Sequence, residues 1–297
     1  MKVVKQVLKV ANVEALTFTG GEPFLSERFE EVVLFTRLRR KKVNIITNGN
    51  SATPDSLKRL VKMGVQLFEL PFHSYRADIH DAMTSKNGSW NKTYQSMMSL
   101  IQNGAYVVPV IVLTKLNYHV LAETLEFLAK KGFQRIIINR FNIGGNGIRW
   151  NNELQLSKKE LNTAFEQANE YSEKLGLTIS SNVCTPFCII DPKDYLNLQF
   201  GSCPAEARYK PITVDLNGDM RLCNHSPIVV GNIFTTDIYE LLDSDYARSW
   251  AELKPSFCSD CTKFDDCLGG CRAASEQLQK TLLDIDPIID FESSTKN

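Results

Sequence analysis

No cysteine occurs before residue 184 of this 297-residue chain, and no uninterrupted apolar run of about 18 residues occurs anywhere. Neither sign of charge is in excess: 34 Lys and Arg face 34 Asp and Glu. Each absence excludes something. Without the apolar run there is no candidate membrane-spanning helix. The N-terminus, MKVVKQVLKVANVEALTF, is lysine-spaced and lacks the apolar core of a secretory signal. The balanced charge gives no bulk electrostatic reason to expect nucleic acid or an anionic membrane as partner. A cytoplasmic location is expected, and thiols there stay reduced, so clustered cysteines read as metal ligands or redox groups rather than disulfides. Repeats and low-complexity tracts are also absent, and the length suffices for one large or two moderate domains with their own cores.

Helical and extended patterns alternate through the first half. A helical pattern over Val3–Lys9 leads into the apolar run Ala15–Thr19, which Gly20-Gly21-Glu22-Pro23 ends. Helix then strand repeats as Phe29–Leu38 and Val43–Thr47, Ser56–Met63 and Val65–Pro71, Asn91–Gln102 and Tyr106–Leu113, His119–Lys131 and Arg135–Asn139. The short β-branched runs predict strands of a parallel sheet buried on both faces, and the amphipathic stretches predict crossover helices. The first half is therefore α/β, either open and doubly wound or a complete or partial barrel. A crossover helix joins two parallel strands, so a chain that opens on a helix is expected to begin one strand late. A further helix, Lys158–Leu175, and strand, Leu177–Ser180, precede a change in composition.

Beyond that point lie all eight cysteines, at 184, 188, 203, 223, 258, 261, 267 and 271, among short helices and turns rich in Gly, Pro, Asn and Asp. Such a segment is expected where ligands rather than a large core hold the fold. Cys258-Ser-Asp-Cys261 is a turn that lets two sulfurs converge on one centre. It continues to Cys267 and Cys271, while Cys203 stands upstream of Gly218 and Cys223. Ile212–Leu216, Asn217-Gly218 and Met220–Leu222 read as a hairpin that would bring Cys203 and Cys223 together. Eight sulfurs suffice for two four-cysteine sites, and spacing alone leaves zinc and iron–sulfur both open. In Cys184-x3-Cys188, Pro186 and Phe187 mark a turn, and one of the two thiols could be an inert buried one.

Cys203-x14-Gly218-x4-Cys223, a gap, then Cys258-x2-Cys261-x5-Cys267-x3-Cys271 resembles the SPASM-domain signature of radical S-adenosylmethionine (SAM) enzymes. Thr17-Phe-Thr-Gly20-Gly21-Glu22-Pro23 resembles the motif with which that superfamily binds the SAM amino group. Ile46-Thr47-Asn48-Gly49, Leu70–Ser74 and Leu113–Asn117 resemble further strand ends of the same barrel. The resemblance implies a partial (β/α) barrel over 1–180, a SPASM iron–sulfur domain over 181–280 and a tail over 281–297. It implies SAM held by Gly20, Gly21, Glu22 and Pro23, with Thr47, Asn48, Ser74, Thr114 and Asn117 at the same mouth. Asn48-Gly49 also suits a turn with positive φ, and Thr114 or Asn117 a helix cap. It implies auxiliary 4Fe–4S clusters: Cys203, Cys223 and Cys271 with Cys184 or Cys188 as fourth ligand, and Cys258, Cys261 and Cys267 with the fourth position open, a carboxylate or the spare cysteine.

The implied activity is modification of a peptide or protein substrate by a 5′-deoxyadenosyl radical, fed by an electron donor such as a flavodoxin or ferredoxin. No catalytic residue is assigned. The family's Cys-x3-Cys-x2-Cys motif and its seventh SPASM cysteine are both missing here, and the first gap coincides with the missing strand. The alternative is a non-catalytic iron–sulfur or zinc protein that binds a peptide or partner. Of the histidines at 73, 80, 119 and 225, His225 could be a ligand, a donor to a cluster sulfur or a loop residue, and His73 could face the barrel mouth or be structural. The run Arg37–Lys42 closes a helix and reads as a solvated face, and Asn142–Gly147 as a SAM-wrapping loop or a flexible exit.

Overall fold

The computed structural model describes residues 1–203, 210–252 and 254–294; of the expected tail, residues 295–297 lie outside the described residues. The chain divides into two compact units, one of residues 12–139 and 166–180, the other of residues 1–11, 140–165 and 181–297. In chain order the first half runs α1 (Lys2–Val10), β1 (Ala15–Phe18), α2 (Phe29–Leu38), β2 (Lys42–Ile46), α3 (Pro54–Lys62), β3 (Leu67–Pro71), α4 (Ala77–Thr84), α5 (Ser89–Gln102), β4 (Val107–Leu113), α6 (Leu121–Lys130) and β5 (Arg135–Arg140). Then come α7 (Asn151–Leu154), α8 (Lys158–Leu175) and β6 (Thr178–Ser181).

Strands β1 to β6 lie side by side in chain order. β1 pairs parallel with β2, β2 with β3, β3 with β4, and β5 with β6. This is the α/β sheet with crossover helices expected from the sequence. Burial corrects one detail. Along β2 and β3 the buried residues Val43, Ile45, Phe68 and Leu70 alternate with half-exposed Asn44, Ile46, Glu69 and Pro71. In β2 and β3 the expectation of strands buried on both faces therefore fails, whereas it holds in β4 and β5, where Val107–Pro109 and Ile136–Ile138 are buried consecutively. On the covered face Phe72 gathers Trp90, Tyr94 and Phe127 around it, at ring distances of 5.9, 6.4 and 5.9 Å.

Local chemistry sets the helix starts. Thr53 Oγ1 accepts from Ser56 N–H at 3.2 Å with Pro54 in the first turn, so α3 begins two residues before the expected Ser56. Asp81, on the unanticipated α4, accepts from the Gly88 and Trp90 amides at 2.5 and 2.8 Å and so caps α5. Desolvation pushes that carboxylate up, but the Trp90 and Gly88 amides with the Ser89 hydroxyl and nearby His80 together hold it below its ordinary range.

The other unit contains β7 (Leu198–Phe200) and a three-stranded antiparallel sheet of β8 (Thr213–Val214), β9 (Asp219–Arg221) and β10 (Gly231–Asn232), in the order β10-β9-β8. The β8–β9 hairpin is the one expected, and β10 is an addition. Gly218 turns it at φ +92, where a Cβ would meet the Phe234 ring at 2.5 Å. Short helices follow: α9 (Ile238–Leu242), α10 (Asp245–Glu252), α11 (Phe264–Cys267), α12 (Arg272–Gln277) and α13 (Pro287–Ser294). Met220, Leu222, Ile233, Trp250, Ala273 and Ala274 are all buried in this unit.

Candidate functional site

Two places draw together the residues singled out in the sequence. The first lies at the C-terminal ends of β1 and β2. Glu22 caps a single 3-10 turn that starts at Pro23, accepting from the Phe24 amide at 3.2 Å. Its carboxylate also accepts from Thr47 Oγ1 at 2.5 Å and from the Asn48 amide at 2.9 Å. Three donors from two strand ends thus hold a half-exposed carboxylate in one orientation. Gly20 and Gly21 stand beside it at φ +83 and +29, and a Cβ built on either would meet nothing within 4 Å. Backbone conformation requires glycine here, and the space in front of it is open. Gly49 is different: a Cβ there would strike Ser96 Cβ at 2.8 Å. Its closeness lets Ser96 Oγ donate to Gly49 O at 2.8 Å and Thr93 Oγ1 to Asn48 O at 2.7 Å, locking the loop onto α5.

Ser74, Thr114 and Asn117 are buried, and their polar atoms are taken up within the chain. Ser74 Oγ accepts from the Arg76 amide at 3.1 Å. Asn117 Oδ1 accepts from the Thr114 amide at 2.8 Å, and its Nδ2 donates to His73 O at 2.8 Å and Val112 O at 2.9 Å. Asn117 therefore ties the end of β3 to the end of β4. The neighbouring histidines are structural: His73 Nδ1 accepts from the Val112 amide at 3.3 Å and His80 Nδ1 from the His73 amide at 3.2 Å. Burial, followed by the neighbouring His80, brings His73 down to about 3, and burial brings His80 down to about 4.

The second place is formed by the cysteines, which sort into two groups of four. Cys184 donates to Cys203 and senses Cys271, and Cys271 in turn senses Cys223. Cys188 senses Cys267 and Cys258, and Cys258 senses Cys261 and Cys267. Cys184 and Cys188 thereby face different neighbours, and Cys203 and Cys223 are joined only by way of Cys184 and Cys271. The hydrogen bond holds Cys184 well above the thiol range and Cys203 below it, with Lys210 helping to lower Cys203. Burial first, then the Asp286 carboxylate, pushes Cys271 up to about 12.

Donors are aimed at the sulfurs: Lys210 Nζ at Cys203 (2.9 Å), Asn142 Nδ2 at Cys271 (3.2 Å), the Phe187 amide at Cys267 (3.2 Å) and the His225 amide at Cys223 (3.4 Å). Among the described residues no three His, Cys, Asp or Glu side chains converge on a single-ion position. Four thiols per group with N–H donors on the sulfurs is a donor set that suits iron–sulfur clusters. The buried Arg140 Nε, which has no hydrogen-bond partner among the described residues, is a further donor beside the first group.

Several residues here carried no sequence signal. Arg140 donates to Cys184 O at 3.1 Å and to Asp286, whose carboxylate accepts from the Cys271 amide at 2.8 Å. Arg272 is buried and donates to the carbonyls of Leu268 and Trp250. Asn142–Gly147 is not a free exit: His225 Nε2 donates to Ile143 O at 2.8 Å, and the Gly145 amide donates to Gln277 Oε1 at 3.2 Å. The His225 ring is thereby engaged with a carbonyl, leaving its amide as the donor to sulfur.

Residues 1–128 match the family model of the radical SAM superfamily, and residues 203–262 that of SPASM, an iron–sulfur cluster-binding domain. Among curated relatives, the antilisterial bacteriocin subtilosin biosynthesis protein AlbA of Bacillus subtilis (strain 168) is 22% identical over 269 residues, covering 85% of this chain and 55% of that protein. The PqqA peptide cyclase of Xanthomonas euvesicatoria pv. vesicatoria (strain 85-10) is 22% identical over 287 residues, covering 92% of this chain and 73% of that protein. The chain thus spans about half the length of the first relative and about three quarters of the second. Streptococcus suis SuiB bound to S-adenosylmethionine shares the fold, with a TM-score of 0.73 at 16% identity over 97% of this chain and 68% of that one. So does anSMEcpe with bound AdoMet and Cp18Cys peptide, with a TM-score of 0.72 at 17% identity over 97% and 84%.

Proposed function

We infer that this chain, which belongs to the radical SAM superfamily and carries a SPASM domain, serves an enzyme that modifies a peptide or protein substrate. The observation that carries the reading is the pinned Glu22 carboxylate beside two open glycines, on the same chain as two groups of four cysteines. SAM, once reduced by one electron at a further cluster that these eight cysteines do not hold, would supply hydrogen-abstraction chemistry, and the two auxiliary 4Fe–4S clusters would supply and accept single electrons. The residues bind and orient. Glu22 accepts from the SAM ammonium while Thr47 and Asn48 keep it aimed, and Gly20 and Gly21 let the ligand reach the backbone. Asn117 and Ser74 hold the neighbouring strand ends in place. Cys184, Cys203, Cys223 and Cys271 ligate one cluster, and Cys188, Cys258, Cys261 and Cys267 the other.

A peptide substrate is supported by what the similar proteins are: a PqqA peptide cyclase, SuiB bound to its precursor peptide SuiA, and anSMEcpe bound to a peptide. A flavodoxin or ferredoxin is the proposed electron donor, and the cytoplasm the proposed location. Among the described residues no helix is long and apolar enough to cross a membrane.

The test is anaerobic reconstitution with iron and sulfide, then metal analysis and equilibrium dialysis against SAM. Expected are two 4Fe–4S clusters per chain and SAM binding that Glu22→Gln weakens roughly 10- to 100-fold, the equivalent of a charged hydrogen bond. Zinc without acid-labile sulfide, or SAM binding indifferent to Glu22→Gln, overturns the reading.

A further inference from the structure

Beside the first cysteine group lies an ion pair that the binding scheme above does not use. Arg140 and Asp286 stand 146 residues apart in sequence, with side chains 2% and 0% exposed. Removing two charges from water is costly, and a buried pair is weak evidence of stabilisation. Its hydrogen bonds show what it is attached to. Arg140 donates to Cys184 O at 3.1 Å, and Asp286 Oδ2 accepts from the Cys271 amide at 2.8 Å, so the pair grips the backbone of two thiol-bearing residues of one group. Asp286 Oδ1 is itself held by the Ile288 amide at 3.1 Å. Between them Gly270, at φ +83, leaves room for both Asp286 and Pro186, which would otherwise lie 2.8 and 2.5 Å from a Cβ.

We propose that Arg140 and Asp286 are positioning residues for the cluster held by Cys184, Cys203, Cys223 and Cys271. Their opposed charges also set its reduction potential apart from that of the other cluster. The proposal rests on the iron–sulfur reading above. Adding an electron makes a cluster more negative, so a carboxylate at Cys271 opposes reduction and a guanidinium at Cys184 favours it, and in a buried setting neither charge is screened well.

The experiment is an EPR-monitored redox titration of the reconstituted chain, with the second cluster as internal reference. Asp286→Asn is expected to move the first cluster's potential upward and Arg140→Gln downward, each by about a tenfold change in the reduction equilibrium, about 59 mV for one electron. The second cluster should not move. Either single variant leaves a buried charge unpaired, and if it fails to load, the neutral double variant Arg140→Gln/Asp286→Asn decides. The double variant is expected to hold both clusters with a potential close to that of the parent chain. Singles that shift in the same direction, a double variant that stays displaced, or no displacement with both clusters loaded overturns the proposal alone. Zinc without sulfide in the parent chain overturns the iron–sulfur reading, and this proposal with it.

Discussion

Gly269 and Gly270 form an internal comparison that separates backbone strain from lack of space. Both are left-handed, at φ +78 and +83. A Cβ on Gly269 would find Pro255 Cγ no nearer than 3.5 Å, ordinary contact. A Cβ on Gly270 would lie 2.5 Å from Pro186 Cγ, 2.7 Å from Pro186 Cδ and 2.8 Å from Asp286 Oδ2. Gly269→Ala should therefore cost only the left-handed penalty of a non-glycine residue, about 1–2 kcal/mol. Gly270→Ala adds an overlap worth about 1–3 kcal/mol, for a total of roughly 2–5 kcal/mol. Pro186 sits midway between Cys184 and Cys188, so relief of that overlap displaces a loop that serves both groups. Anaerobic thermal denaturation and iron content should be measured together on both variants. Gly270→Ala is expected to lose iron from both sites and Gly269→Ala to keep most of it. Equal losses in the two variants would refute the assignment of Gly270 as the point where the loops meet.

Two further outcomes follow from the same contacts. A double Cys→Ser variant within one group, Cys184 with Cys203, should retain about half the iron, whereas Cys188 with Cys203 should retain little; the reverse order would show the grouping to be wrong. In the barrel unit the folded chain keeps His73 and His80 neutral at pH values where the unfolded chain protonates them. Stability should therefore fall as pH drops from about 6.5 towards 4, with His80 alone contributing about 2 kcal/mol of the loss at pH 5. Urea midpoints at pH 7 and pH 5 should converge in His80→Asn relative to the parent chain, and an undiminished pH dependence in that variant would contradict the assignment.

Most of the α/β unit was legible because its strands are short β-branched runs separated by long amphipathic segments. Helix α4 was not, since ADIHDAMT shows no clear apolar period and forms where Asp81 can cap the next helix. The glycine and glutamate at the end of β1 could be read directly, because positive φ and a pinned carboxylate demand those residue types. The surroundings of Cys184 and Cys188 could not: the residues are four apart, and Pro186 between them packs against Gly270, which the chain reaches only much later. Arg140 and Asp286 were invisible for the same reason, each looking like an ordinary solvated charge until 146 residues of intervening chain fold back.

That separation along the chain also orders the protein's biogenesis. Asp286 is synthesised about a hundred residues after Cys184, some 5–20 s later at ordinary elongation rates. For that interval Cys184, Cys203 and Cys223 emerge on the nascent chain without the carboxylate that seats Cys271. The Cys271 backbone therefore gains its contact with Asp286 only after all eight cysteines have been synthesised.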